Sequence, residues 1–556
     1  MRATVRLVAL LVLVACTRSS SGTTTTVTST TTSTAEATTL VPAPMAEHRI
    51  GVRTVDGEGE FFDRITGQSF EPRGVNLIRL DLGSHSTLDP AHYDPERIEN
   101  TFTAIAAAGY NVVRTFLNSR PGGMPGANES LSSEYLDNAA DLLARAKAHG
   151  LQVLLTQDWL PESASWTFAS DPLIDDVNAM YLSRGGVDTN RRFYREWVQG
   201  LIARDAAFDA LLAYELRNEL YFTDLYPPFN LTSGTVATAN GVGYDLAEPD
   251  VHRRLLEENL VYWADTMRSE ILALDPSGLV TIGFFQPKGP NTSRVGDDRL
   301  IETEAVILDS TLDFIDLHGY PGGELNLAQI VENYGLPPVT SKPILLGEFG
   351  AEHGPYPTID DAVRALVDWQ VESCAYGFDG WLLWTWDTAE QPEFWSAVNN
   401  EGVIADALSP VTRPDPCVVG DLELASELAT GASVTASSET VADVAANVID
   451  GLPVTIWSAG ADAPQWIELD LGSERVVEAI RLLVAQYPAG ATSHRVTVRG
   501  ESGEGVEVAR FDQDTSDGDW LEVALEEPIS GARYLRVDTT ASVSHVAWRE
   551  ISVLGS

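Results

Sequence analysis

Between residues 50 and 410, short apolar runs alternate with amphipathic stretches, and this alternation constrains the chain more than any other feature. The runs fall at 73–77, 111–116, 152–157, 211–215, 279–283, 314–318, 343–347 and 380–384. Between them apolar side chains recur at helical spacing, as in Leu256, Leu260, Trp263, Met267 and Ile271, or in Ile359, Val363, Leu366, Gln370 and Cys374. Strands alternating with helices of this kind build a parallel sheet with helical crossovers. Eight such units in about 350 residues predict an α/β fold, a (β/α)8 barrel, in which chemistry sits at the C-terminal ends of the strands. The turn-rich segment 56–70 precedes the first strand and is expected to form a hairpin closing the bottom of the barrel.

After Pro410 the helical pattern stops. Residues 411–422 hold Pro414, Pro416 and Cys417 and read as a linker of modest stiffness. Residues 423–556 carry only short alternating runs, among them 465–470, 479–484, 495–499 and 534–539, which predicts an all-β sandwich. At 556 residues the chain is long enough for both units, with the barrel domain at 45–410.

The N-terminus opens with Arg2 and Arg6 and an apolar run over 7–14, too short to span a bilayer, so residues 1–16 read as a signal peptide. Leu13-Val14-Ala15-Cys16 resembles the cleavage box of bacterial lipoproteins, which implies Cys16 as the lipidated first residue of the mature chain. A secretory signal without lipid, with an incidental Cys16, is the alternative. Residues 17–44 form a tether, since 17 of the 24 residues from Thr17 to Leu40 are Ser or Thr and there is almost nothing to bury. Export to the bacterial cell surface would permit Cys374 and Cys417 to pair, but two free buried thiols fit the sequence equally well. The 36 basic and 81 acidic residues leave a net charge of −45, which repels nucleic acid and anionic polymers and favours a neutral partner. Solubility alone would also explain that charge.

Two strand exits carry acids. The run 211–214 leads into Asn218 and Glu219, and the run 343–347 ends on Glu348. Two carboxyl groups facing each other are what hydrolysis of a sugar acetal requires, one to protonate the leaving oxygen and one to attack or to activate water. Glu215 is a further carboxylate, read as an internal hydrogen-bonding partner and less readily as the acid. The long segments 158–188 and 221–250 are expected to wall a substrate cleft.

Arg73-Gly74-Val75-Asn76, Asn111-Val112-Val113-Arg114, Arg217-Asn218-Glu219, His318-Gly319-Tyr320, Gly347-Glu348-Phe349 and Trp381-Leu382-Leu383-Trp384 lie at successive strand ends. In this order they resemble glycoside hydrolase family 5, retaining β-glycosidases that include cellulases and β-mannanases. The resemblance covers roughly residues 50–405 and implies Glu219 as general acid/base and Glu348 as nucleophile. It further implies that Arg114 and Tyr320 hold Glu348 ionised, that Asn218 bonds the sugar 2-hydroxyl, that His318 lines the same subsite, and that Trp384 offers an apolar face to a pyranose ring. Arg114 could instead be a structural ion pair, His318 a satisfied core histidine, and at least one of Trp381, Trp384 and Trp386 packing. Trp159 and Trp166 are sugar platforms or loop packing. The chain departs from the family at Gln157-Asp158-Trp159, where a histidine often follows the strand, and at Leu220, where a proline commonly follows the Asn-Glu pair. No cofactor is implied for catalysis.

Asn447-Val448-Ile449-Asp450-Gly451, Thr455-Ile456-Trp457, residues 466–472, Arg533-Tyr534-Leu535-Arg536 and Glu550-Ile551-Ser552-Val553 resemble the discoidin, or F5/8 type C, domain and the related family 32 carbohydrate-binding modules. That resemblance implies a discoidin-like jelly roll and places Asp450, Thr455 and Glu550 near a structural calcium site. Together the two resemblances imply a surface-anchored, monomeric, endo-acting retaining hydrolase of β-mannan or β-glucan. An inactive glycan-binding protein, or an exo-glycosidase or transglycosylase on the same scaffold, is the alternative.

Overall fold

The computed structural model describes residues 46–556 apart from 79–85, 118–123, 127–128, 170, 290–292, 295–298, 339, 357, 388–390, 392, 420–425, 453, 502 and 504. The expected signal peptide with Cys16 and the tether therefore lie outside the described residues. Among the described residues, no helix is long and apolar enough to cross a membrane.

The barrel strands are β1 (Arg73–Leu77), β2 (Val112–Leu117), β3 (Gln152–Gln157), β4 (Leu211–Glu215), β5 (Val280–Thr281 continued by Gly283–Phe284), β6 (Ile315–His318), β7 (Ile344–Phe349) and β8 (Gly380–Leu383). All pair in parallel, in the order β4-β3-β2-β1-β8-β7-β6. β5 closes the ring: Thr281 stands opposite Glu215 of β4, and Gly283 opposite Asp316 of β6. Every expected strand is present within a residue or two of its expected bounds.

The crossovers are α1 (Pro95–Ala107), α2 (Ser133–His149), α3 (Arg184–Ile202), α4 (Val251–Leu272), α5 (Glu304–Asp309), α6 (Leu327–Tyr334), α7 (Ile359–Cys374) and α8 (Val403–Leu408). Their apolar stripes face the barrel. In α4 the residues Leu256, Leu260, Trp263, Met267 and Ile271 are all buried. Start signals are local: Asp94 accepts from the Glu96 and Arg97 N–H groups to cap α1, and Asn326 and Gln329 form a reciprocal capping box at α6. The hairpin Ile50–Val55 with Glu58–Asp63 lies under the barrel. Its Ile50 and Phe61 join Val112, Leu154, Leu212, Leu279, Phe314, Leu345 and Leu382 in one apolar plug.

The C-terminal unit is antiparallel, the all-β partner of the α/β barrel. Two long strands, Gln465–Val484 and Trp520–Ala541, pair along most of their length, with register shifts between Asp470 and Ala479. Trp457, Trp548, Ile480, Val496 and Leu535 fill its core. The segment expected as a linker is pinned to α7: Cys374 and Cys417 form a disulfide with Cα atoms 5.7 Å apart, and buried Arg413 donates to Gln370 Oε1 at 2.7 Å. Arg481 of the sandwich pairs with Asp361 on α7.

Candidate active site

Inward side chains along the barrel strands form layers, because residues two apart in a strand share a face. Above the apolar plug comes a layer of polar groups, with Val112 followed by Arg114, Leu154 by Thr156 and Phe314 by Asp316. Arg114 is its centre and is fully buried. Its Nε and Nη2 donate to the two Glu215 oxygens at 2.7 Å each. Nη2 also reaches Asn218 Oδ1 at 2.8 Å, and Nη1 reaches Asn76 Oδ1 at 2.8 Å and Glu348 Oε1 at 2.5 Å. One guanidinium thus ties together four side chains from β1, β4, the loop after β4, and β7. Burial opposes the charge on Arg114, but Glu215 and Glu348 more than offset it and hold the pKa above its ordinary value.

Glu215 is completely buried and also accepts from Thr156 Oγ1 at 2.7 Å, so the structure places it as a partner of Arg114 beneath the site. Glu348 ends β7. Its second oxygen accepts from the Tyr320 hydroxyl at 2.6 Å. Burial raises the Glu348 pKa to about 7, against the pull of Arg114 and Tyr320.

Glu219 faces it from the loop after β4, with its side chain about one-fifth exposed (21%). The backbone at Glu219 has φ +44°, a left-handed conformation that a non-glycine residue rarely adopts. The Leu220 N–H donates to Gly283 O at 3.0 Å on one side, and the Asn218 N–H donates to Gln157 O at 2.7 Å on the other. Burial and then the Glu348 charge push the Glu219 pKa well above the carboxylate range. One oxygen of Glu219, one of Glu348 and a nitrogen of His318 lie within 4.8 Å of one another.

His318 Nδ1 is 3.0 Å from Glu219 Oε1 and 3.4 Å from Glu348 Oε2. Burial, then Arg114, hold its pKa well below the ordinary value, so the ring is neutral. The buried Tyr334 hydroxyl of α6 bonds the His318 backbone at both N and O, which fixes the end of β6. Two carboxyl groups in unequal environments and an imidazole are thereby assembled at one mouth, an arrangement chemically able to give a proton at one side and attack from the other.

Among the described residues, two clusters have the spacing to hold a metal ion, Glu219-His318-Glu348 and Glu215-Asp316-His318. Glu348 of the first and Glu215 of the second are already bonded to the Arg114 guanidinium.

The aromatic candidates separate. Trp384 stands at the mouth, edge-on to Phe116, and donates from Nε1 to Gln391 Oε1 at 2.7 Å. Trp381 faces outward and donates to Ser373 Oγ, and Trp386 packs in the core around the barrel. Trp159 is half-buried, with the Arg217 guanidinium 4.0 Å from its ring centroid, while Trp166 is buried beneath Arg192. Asn76, Thr156 and Asp316 complete the site and were not singled out as candidates from the sequence. The period-two polarity of their strands is the signal that carries them.

In the sandwich, Thr455 Oγ1 lies 3.0 Å from Asp450 Oδ2, and Glu550 Oε1 accepts from the Gly451 N–H at 3.2 Å. Glu550 Oε2 is buried without a hydrogen-bond partner among the described residues. Burial, then Asp450, raise the Glu550 pKa well above its ordinary value. Oxygen donors alone, with one buried carboxylate oxygen unpartnered, fit a hard cation.

No curated protein matches the chain. Among solved structures, the chain is similar to an exo-β-1,4-mannosidase from Opitutaceae bacterium strain TAV5, with 18% identity over 67% of this chain, 64% of that one, and a TM-score of 0.44. Its C-terminal part is similar to chitosan-binding module 1 of a chitosanase/glucanase from Paenibacillus sp. IK-5, with 29% identity over 23% of this chain, 99% of that one, and a TM-score of 0.21. It is also similar to a family 32 carbohydrate-binding module from C. perfringens solved with galactose, with 21% identity over 23% of this chain, 97% of that one, and a TM-score of 0.21. Residues 433–552 match the F5/8 type C domain, so the C-terminal sandwich is a domain of that family.

Proposed function

We propose that this chain is a retaining β-glycoside hydrolase of the family 5 type, acting on a neutral β-linked polysaccharide, β-mannan or β-glucan, in endo mode. The observation that carries the reading is the unequal treatment of two facing acids. Arg114 and Tyr320 both bond Glu348, whereas Glu219 receives neither. Glu348 is therefore the group favoured as the anion and Glu219 the group that keeps its proton.

In the first step Glu219 protonates the glycosidic oxygen while Glu348 attacks the anomeric carbon, giving a glycosyl ester on Glu348 and releasing the leaving sugar. In the second, the Glu219 carboxylate takes a proton from water, which displaces Glu348 and restores both acids. The oxygens lie within 4.8 Å, compatible with the separation of about 5–5.5 Å between carboxyl groups in retaining enzymes. Asn218, oriented through its Oδ1 by Arg114, would present its amide to the sugar 2-hydroxyl. His318, Trp384 and Trp159 would line the subsites.

The F5/8 type C domain would hold the enzyme near its glycan, with Asp450, Thr455 and Glu550 holding a structural calcium ion. Export and anchoring through Cys16 would place it at the cell surface as a monomer. The test is release of reducing sugar from a panel of neutral β-glycans by the full chain and by its Glu348→Ala variant. Activity on one glycan that disappears in the variant supports the reading. Activity that survives in the variant, or no activity on any glycan while the protein still binds one, would overturn it.

A further inference from the structure

Asp316 is a buried acid for which the proposed chemistry has no task. It sits on β6 two residues before His318, so both side chains enter the barrel while Ile315 and Leu317 face the helices. Among the described residues no hydrogen bond of good geometry reaches either of its oxygens, the near approach of the Gly347 N–H apart, and none reaches His318 Nε2. The two groups face each other, with Asp316 Oδ1 3.9 Å from His318 Nε2. Two glycines leave the space they occupy: a Cβ on Gly347 would lie 1.9 Å from Asp316 Oδ1, and one on Gly283 would lie 3.1 Å from His318 Nε2. Buried polar groups left unpaired are costly, and two such groups side by side offset each other's cost by bonding.

The charges facing Asp316 decide which of the two donates. Glu215 comes from β4, Glu348 from β7, Arg114 from β2, and the Tyr334 hydroxyl from α6. Arg114 is the cation among them, and its donors are engaged by Glu215, Asn218, Asn76 and Glu348. An ionised Asp316 would add a negative charge beside two acids already bonded to that one guanidinium. Burial, then Glu215, and further Glu348 raise its pKa well above the carboxylate range, against the pull of Arg114 and of the Gly347 backbone N–H. The imidazole beside it is neutral and has a single N–H to place.

We propose that Asp316 is a positioning residue: as a neutral carboxylic acid it donates to His318 Nε2, which fixes the imidazole as the Nδ1–H tautomer and aims that hydrogen at Glu219. About 1 Å of side-chain movement brings the pair to hydrogen-bonding distance. His318 Nδ1 is 3.0 Å from Glu219 Oε1. The N–H there occupies Oε1, leaves the acidic proton of Glu219 on Oε2, and stabilises the carboxylate that remains once the proton has gone to the leaving oxygen. This role for Glu219 rests on the glycosidase reading; the hydrogen bond between Asp316 and His318 does not.

The test is nitrogen NMR of the full chain labelled with 15N-histidine, with His318 assigned by its loss in His318→Gln. The wild type should show His318 as one neutral tautomer protonated at Nδ1 from pH 5 to pH 8. Asp316→Asn, whose amide can donate the same bond, should keep that tautomer and rescue kcat/KM to within a few-fold of wild type. Asp316→Leu should give a mixture of tautomers and lower kcat by roughly tenfold, with an unchanged circular dichroism spectrum. A wild type protonated at Nε2, or a tautomer that ignores Asp316→Leu, would overturn the proposal. If Asp316→Leu does not fold, the pH profile of Asp316→Asn decides. Limbs that stay in place support a neutral Asp316, whereas limbs moved down by one pH unit or more would show that a buried negative charge had been removed. Absence of hydrolysis with the Nδ1–H tautomer present would count against the glycosidase reading and for the hydrogen bond. Hydrolysis with an Nε2–H tautomer would do the reverse.

Discussion

The two ends of the barrel interior are built from the same strands, two residues apart, and they are chemically opposite. At the bottom, Ile50 and Phe61 of the hairpin close an apolar plug with Val112, Leu154, Phe314 and Leu345. One layer up, the same strands contribute Arg114, Thr156, Asp316 and, with a glycine intervening, the approach to Glu348. The plug is held by burial of apolar surface, which tolerates modest changes of shape. The polar layer is held by one guanidinium engaged on every side, where loss of a single partner leaves charge stranded. Stability is thus concentrated at one end and the candidate site at the other, and substitutions should separate the two.

The largest effect is expected from Arg114→Met, which strands Glu215 and Glu348 in the interior. It should lower stability by about 3–5 kcal/mol, by analogy with broken buried ion pairs, and remove measurable hydrolysis. Denaturant unfolding and a reducing-sugar assay check this together, and a variant retaining activity would break the proposed division. Phe61→Ala should cost about 3–5 kcal/mol through the cavity it leaves in the plug, while kcat/KM of the folded protein stays at the wild-type value. A fall in kcat/KM would mean that the two ends are mechanically coupled.

Tyr320→Phe removes a charge-assisted hydrogen bond from Glu348, worth about 1.5–3 kcal/mol and so about 10- to 100-fold in kcat/KM. It also has a direction in pH. Glu348 must be ionised to attack, and losing a donor raises a pKa that already stands at about 7, so the acidic limb of the kcat/KM profile should move to higher pH.

The last effect concerns Glu302, a buried acid with one oxygen lacking a hydrogen-bond partner among the described residues. Burial raises its pKa from 4.5 to about 7. Between those values the folded chain holds a proton that the unfolded chain has released, so stability falls as pH rises through that window. Glu302→Gln should flatten the fall by about 3 kcal/mol, measured as unfolding free energy against pH from 4 to 8. An unchanged slope would show that other buried acids set it.

How much of this was legible in the sequence follows from what each feature depends on. The eight barrel strands were legible because each is a short apolar run bounded by turn residues. Glu219 and Glu348 were legible because strand ends are where a barrel presents chemistry, Tyr320 because it follows a strand end, and Arg114 because it is a charged residue inside an apolar strand of the same motif set. The disulfide between Cys374 and Cys417 was left open, because a separation of 43 residues says nothing about a Cα distance of 5.7 Å. Asp316 lies inside an apolar run, where the sequence marks its side of the strand but gives it no role. Its significance comes from neighbours on three other strands, and from two glycines whose missing side chains make the space. The separate fates of Trp381, Trp384 and Trp386 depend on which side of a short strand each one faces and on where that strand ends.

The central claim, attack by Glu348 with Glu219 as acid, is tested most directly by trapping. The full chain would be incubated with a 2-deoxy-2-fluoro β-glycoside carrying a good leaving group, of the sugar found to be hydrolysed, then digested and read by peptide mass spectrometry. The account predicts inactivation with one sugar bound covalently to the peptide containing Glu348, with faster turnover of that adduct in wild type than in Glu219→Ala. A label on Glu215 or Glu219, or hydrolysis that proceeds with inversion and leaves no adduct, would contradict it.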